Sequence, residues 1–112
     1  MLAACSDDDG GTLEVVGTTV AGAEELVVEA FDFGYEPSTF ELPAGEPVNL
    51  TMRVTSGGHN LRIEGAGFQL PIFEEGDSAV GTVLIAEPGD YRLVCTVPGH
   101  EAAGMVGTVT VR

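Results

Sequence analysis

The sequence predicts an all-β fold, a Greek-key β-sandwich or barrel of about seven to eight strands. Three observations lead there. Sixteen Gly and six Pro among 112 residues are mixed with Val and Thr, the composition of short strands joined by tight turns. Several stretches alternate apolar and polar side chains with period two, as half-buried strands do. No stretch of helical length carries an apolar stripe with caps at its ends. The length allows one domain with a core of its own.

Taken in order, residues 1–5 read as the remnant of an export signal. Leu2-Ala3-Ala4-Cys5 has the form of a bacterial lipobox, in which the chain is cut before Cys and that Cys is acylated. A complete signal needs a basic segment and a longer apolar one upstream, which residues 1–4 do not supply. Residues 6–25 read as an acidic, Gly-rich tether with some strand character at Leu13-Glu14-Val15-Val16. The folded domain is expected over 26–112. Within it, Val48, Leu50, Met52 and Val54 alternate with Asn49, Thr51, Arg53 and Thr55. Val80–Ala86 is a more continuous apolar run, as a strand buried on both faces would be. Tyr91, Leu93, Cys95 and Val97 alternate with Asp90, Arg92, Val94 and Thr96, and a last strand follows from Met105 to Val111. Turn chemistry separates them at 43–47, 56–58, 74–77 and 87–90.

Charge excludes whole classes of partner. Eighteen Asp and Glu stand against four Arg and no Lys, a formal charge of -14. Such a surface repels phosphate backbones, so the chain is no nucleic-acid binder. It also does not dock electrostatically on anionic lipid. No stretch reaches the roughly 20 apolar residues of a spanning helix. Membrane attachment is expected instead through lipid on Cys5, which makes the protein an exported lipoprotein facing periplasm or cell exterior. With Cys5 acylated, Cys95 stands alone, either buried and inert or bound by something.

The chain has two His, His59 and His100, each at a turn beside Gly. His100 follows Cys95 by five residues and Met105 follows His100 by five, in Cys95-Thr-Val-Pro-Gly-His100-Glu-Ala-Ala-Gly-Met105. One loop can therefore bring three ligand-type side chains to a point, with His59 arriving from elsewhere. Thiolate and thioether are soft donors that suit Cu(I), while imidazole suits Cu(II) as well. Two imidazoles, a thiolate and a weak axial Met describe a blue-copper electron-transfer site. Singly, each residue has a bland explanation as core or surface. Together, both His and the unacylated Cys fall into one ligand pattern.

Over residues 26–112 the sequence resembles the cupredoxins, small type 1 blue copper proteins, and is most like sulfocyanin, rusticyanin and plastocyanin-like domains. The likeness is carried by the Cys-x4-His-x4-Met spacing, by Gly58-His59-Asn60, and by Val28-Glu29-Ala30-Phe31-Asp32-Phe33 with Pro37, Phe40 and Pro43-Ala44-Gly45. It implies one copper ion with His59, Cys95 and His100 as equatorial ligands and Met105 as the axial one. It further implies that Asn60 ties the ligand loops by hydrogen bonding and that the Thr96 amide donates toward the thiolate, and the likeness to azurin makes the Gly58 carbonyl a group that could approach copper.

The leading functional expectation is a monomeric one-electron carrier cycling Cu(II)/Cu(I) between membrane or periplasmic redox partners. Pro98, Gly99, Ala102 and Ala103 would frame His100 with a small apolar patch, and Glu101 within it would favour a redox protein with a basic docking rim. The alternative is a copper-binding or chaperone module that delivers copper to an oxidase. An enzyme is not expected, since no third group orients a Cys95/His pair for nucleophilic attack. A two-copper centre would need a second loop Cys, which residues 96–99 lack.

Overall fold

A computed structural model describes residues 13–112. Cys5 and the lipobox lie outside the described residues. Ten strands form in chain order: β1 (Leu13–Val15), β2 (Glu24–Phe31), β3 (Gly34–Glu36), β4 (Thr39–Leu42) and β5 (Val48–Val54), then β6 (Gly58–Ile63), β7 (Phe68–Glu74), β8 (Ser78–Val83), β9 (Gly89–Val94) and β10 (Val106–Val111). They build two five-stranded sheets, ordered β1-β8-β5-β2-β3 and β4-β10-β9-β6-β7. The fold is the expected all-β sandwich, with no helix among the described residues. The two strands beyond the expected eight are β1 and β3, three-residue pieces at opposite edges of the first sheet.

Period-two patterning explains the core. Leu50, Met52, Val54 and Val28 from one sheet meet Leu61, Ile63 and Leu93 from the other, all at most 1% exposed. Each such side chain contributes roughly 1.5–3 kcal/mol through burial. The run at Val80–Ala86 divides in two. Residues up to Val83 form β8, which lies between β1 and β5, whereas Leu84 turns out to solvent.

The expected tether differs from what is observed. The boundary drawn at residue 26 falls inside β2. Upstream, β1 pairs in parallel with β8, Leu13 opposite Ser78. The next residues are clipped down by two polar side chains, buried Asn49 and half-buried Thr82, whose role shows only in three dimensions. Asn49 accepts from the Val20 N–H and donates to the Val20 carbonyl, while the Thr82 N–H and hydroxyl both donate to the Thr18 carbonyl. Residues 13–18 therefore run along the β8 edge of the first sheet, and Val20 is tied to Asn49 of β5.

What matters for function is one end of the sandwich. The ends of β2, β5, β7 and β9 and the starts of β3, β6 and β10 all meet there. At the opposite end, main-chain bonds close the structure: the Ala44 N–H donates to the Arg112 carbonyl, and the Gly45 N–H to the Ile85 carbonyl.

Candidate metal centre

His59 is the second residue of β6 and is 0% exposed. A bulge between His59 and Leu61 in the β6–β7 pairing breaks the strict alternation, so that His59, Asn60 and Leu61 are all buried. Without it, one of His59 and Asn60 would face away from the site. Tyr35 of β3 holds the bulge, its hydroxyl donating to the Asn60 carbonyl at 2.6 Å. Burial, and then neighbouring Cys95, push the Tyr35 phenol far above its ordinary pKa, so it remains protonated and able to donate.

Cys95 follows directly on β9 and Met105 directly precedes β10; both are 0% exposed. The loop between them shapes itself. The His100 N–H donates to the Val97 carbonyl across Pro98-Gly99, with φ +87° at Gly99. That is a turn with Pro at its second position and Gly at its third, where φ must be positive. Next, the Met105 N–H donates to the His100 carbonyl and the Cys95 N–H to the Met105 carbonyl. Met105 is thus tied through the main chain to both other loop residues. His100 is left partly exposed, with the ring of Phe33 edge-on to it at 5.0 Å between centroids.

These elements bring three donor atoms together. The Nδ1 atoms of His59 and His100 are 3.1 Å apart, and Cys95 Sγ lies 4.0 and 3.6 Å from them. The circle through three atoms at those separations has a radius of about 2.1 Å, the length of a transition-metal bond to imidazole or thiolate. A point therefore exists within bonding distance of all three. Both imidazoles present the same nitrogen, and a thiolate with two imidazoles is a donor set that suits copper.

Asn60 is 1% exposed and ties the His59 strand to the Cys95 loop at two points. Its Nδ2 donates to Thr96 Oγ1 and its Oδ1 accepts the Thr96 N–H, both at 2.8 Å. The expected bridging by Asn60 is thus present. The expected amide donation from Thr96 toward the thiolate is not, because that single proton goes to Asn60 Oδ1. Gly58 precedes His59 opposite Glu74, whose carboxylate a Cβ at Gly58 would crowd.

Glu101 lies in an ion pair. Its Oε2 lies 2.7 Å from Arg92 Nη2, and Arg92 Nη1 reaches Glu64 at 3.7 Å. The acid framed by the apolar patch is therefore paired, and Arg92 offsets its charge. Three residues without an assigned role from sequence stand at the centre: Asp32, Phe33 and Tyr35. Asp32 Oδ1 is 3.0 Å from His59 Nε2. The run Phe31-Asp32-Phe33-Gly34-Tyr35 was a signal, an aromatic-rich turn between short strands, but nothing local says which His it faces.

A two-sheet sandwich with two imidazoles and a thiolate converging at one end defines a cupredoxin. Residues 23–112 match the family of copper binding proteins, plastocyanin/azurin family, and the chain belongs to that family, with a site that fits one copper ion. It is 30% identical to cytochrome c oxidase subunit 2 of Thermus thermophilus, over 78% of this chain and 64% of that protein. It is 34% identical to plastocyanin of Prochlorothrix hollandica, over 69% of this chain and 62% of that one. The chain thus spans less than two thirds of the length of these relatives. Among solved structures, reduced auracyanin of Roseiflexus castenholzii shares the fold with TM-score 0.71 and 22% identity, over 81% of this chain and 99% of that one.

Proposed function

We propose that the protein is a type 1 copper electron carrier in which His59, Cys95 and His100 are the equatorial ligands and Met105 the weak axial one. The observation that carries this is the point about 2.1 Å from two Nδ1 atoms and one thiolate sulfur. Copper bound there supplies a one-electron Cu(II)/Cu(I) couple. The chain's own residues do the rest. β6, with its bulge, and the main-chain bonds of the 95–105 loop hold the donors in place, and the Asn60–Thr96 clamp keeps these two parts in register. A site held this firmly changes little when its charge changes, which favours fast transfer. His59, Cys95 and Met105 are shut from solvent, whereas His100 is partly exposed. The His100 ring edge, beside Phe33, is therefore the route by which electrons enter and leave.

Cys5 carries lipid that holds the chain at a membrane, and the monomeric protein serves redox partners outside the cytoplasm. Those partners meet an acidic surface, which favours a basic docking rim and gives association rates that fall with salt. Delivery of copper to another protein fits less well, since three of the four ligand residues are fully buried and release would require opening the core end. Electron self-exchange, read from NMR line broadening in mixtures of oxidised and reduced protein, tests the carrier role. Fast self-exchange with copper retained is the expected result. Copper lost to a chelator on reduction would favour the delivery role instead.

A further inference from the structure

Metal binding at Nδ1 dictates where the His59 proton must be. A neutral imidazole carries one N–H, so an Nδ1 that donates its lone pair to a metal leaves the proton on Nε2. In His59 that Nε2 is fully buried and, among the described residues, makes no hydrogen bond of good geometry. A buried N–H of this kind needs an acceptor. The nearby group of the right chemistry is the Asp32 carboxylate, with Oδ1 3.0 Å away and off the line of a well-formed N–H bond.

Two further features hold that carboxylate in place. The Asp32 N–H donates to Ser56 Oγ at 2.9 Å, tying the β2–β3 turn to the turn that leads into His59. Gly57, at φ +75°, lies between them, and a Cβ there would overlap the Asp32 carboxylate and press on His59 Nε2 at 3.0 Å. Glycine at 57 leaves the space in which the carboxylate meets the imidazole.

We propose that Asp32 is a positioning residue of the copper centre: its carboxylate accepts the Nε2 proton of His59, fixes the ring with Nδ1 toward the metal, and strengthens that nitrogen as a donor. The proposal rests on the reading of His59 as a copper ligand. It makes a carboxylate–imidazole–metal relay, an arrangement that orients the ring and raises its basicity. Because Cu(II) carries one more positive charge than Cu(I), an anion at this position favours the oxidised ion. The Asp32 side chain is 45% exposed, so water moderates its charge without removing it.

The test compares the wild type with Asp32→Asn, Asp32→Ala and Gly57→Ala. Cu(II) and Cu(I) affinities and the reduction potential are measured for each, and the His59 Nε2 proton is followed by NMR in the Cu(I) form. Asp32→Asn keeps an acceptor without the charge, Asp32→Ala removes both, and Gly57→Ala keeps the carboxylate but displaces it. In all three variants the intense thiolate band should persist, while Cu(II) affinity falls about 10–100-fold and Cu(I) affinity falls less. The potential then rises by about 59 mV for each tenfold change in the affinity ratio. The Nε2 proton loses its low-field position and, in Asp32→Ala, exchanges faster with water. An unchanged affinity ratio together with an unmoved Nε2 proton would overturn the relay while leaving the copper centre intact. A wild type that binds Cu(II) without a thiolate band would overturn the copper-ligand reading, and the relay with it.

Discussion

His59 enters the centre from the start of a strand and is completely buried, whereas His100 enters from a turn and is partly exposed. The first is held by other parts of the molecule: the β6–β7 ladder and its bulge, the Tyr35 hydroxyl on the next carbonyl, and the Asn60 clamp to Thr96. The second is held by its own loop, through the Val97–His100 turn and the bond from the Met105 N–H. The strand-borne histidine fixes where the donor atoms converge, at the cost of needing the whole fold. The loop-borne ligand gives the site its opening to solvent and needs little beyond the loop sequence.

The largest break in this comparison is at the residue both histidines face. Cys95→Ser should abolish the intense visible band, because the thiolate is its charge-transfer donor, and absorption spectra of the copper-loaded variant show this directly. Next come the histidines themselves. His100→Gly should open a hole that solvent reaches, so added imidazole should restore the band. The same addition should not rescue His59→Gly, whose hole is sealed. Equal rescue of both would erase the distinction between buried and exposed ligand. Asn60→Ala separates the two regions without touching a ligand. It strands the Thr96 N–H and should lower the stability of metal-free protein by about 1–3 kcal/mol in urea denaturation.

Smaller effects sharpen the picture. Met105→Leu should keep copper and colour while shifting the reduction potential, because an axial thioether bond is long and weak. Complete loss of copper affinity would show that Met105 is more than an axial ligand. The smallest effect is expected at Glu101→Gln. Arg92 already neutralises this acid, and the exposed pair is screened by salt, so association with a basic partner should slow only slightly.

How much could be read from sequence follows the same division. The 95–105 loop was legible because its ligand-type side chains, its Pro98-Gly99 turn and its flanking strands are contiguous. The main strands were legible because one buried face imposes alternation, as at Val48, Leu50, Met52 and Val54. What escaped depends on residues distant in sequence. The docking of residues 13–20 along the first sheet's β8 edge relies on Asn49 and Thr82, and the surroundings of His59 rely on Asp32 and Tyr35. The bulge at Asn60 breaks the burial alternation of β6 but leaves no mark in its sequence, where His59, Leu61 and Ile63 alternate with Asn60 and Arg62. Thr96 shows another limit: its amide proton had two plausible acceptors, and only the fold brings Asn60 close enough to take it.

The proposed carrier role depends on two imidazole nitrogens and the Cys95 sulfur sharing one copper ion. Titration of metal-free protein with Cu(II), followed by visible absorption and electron paramagnetic resonance, tests it most directly. An intense blue or green band and a narrow copper hyperfine splitting should appear, saturate at one equivalent and vanish on reduction. Weak colour with ordinary tetragonal copper signals would mean that Cys95 is not a ligand, and would contradict it.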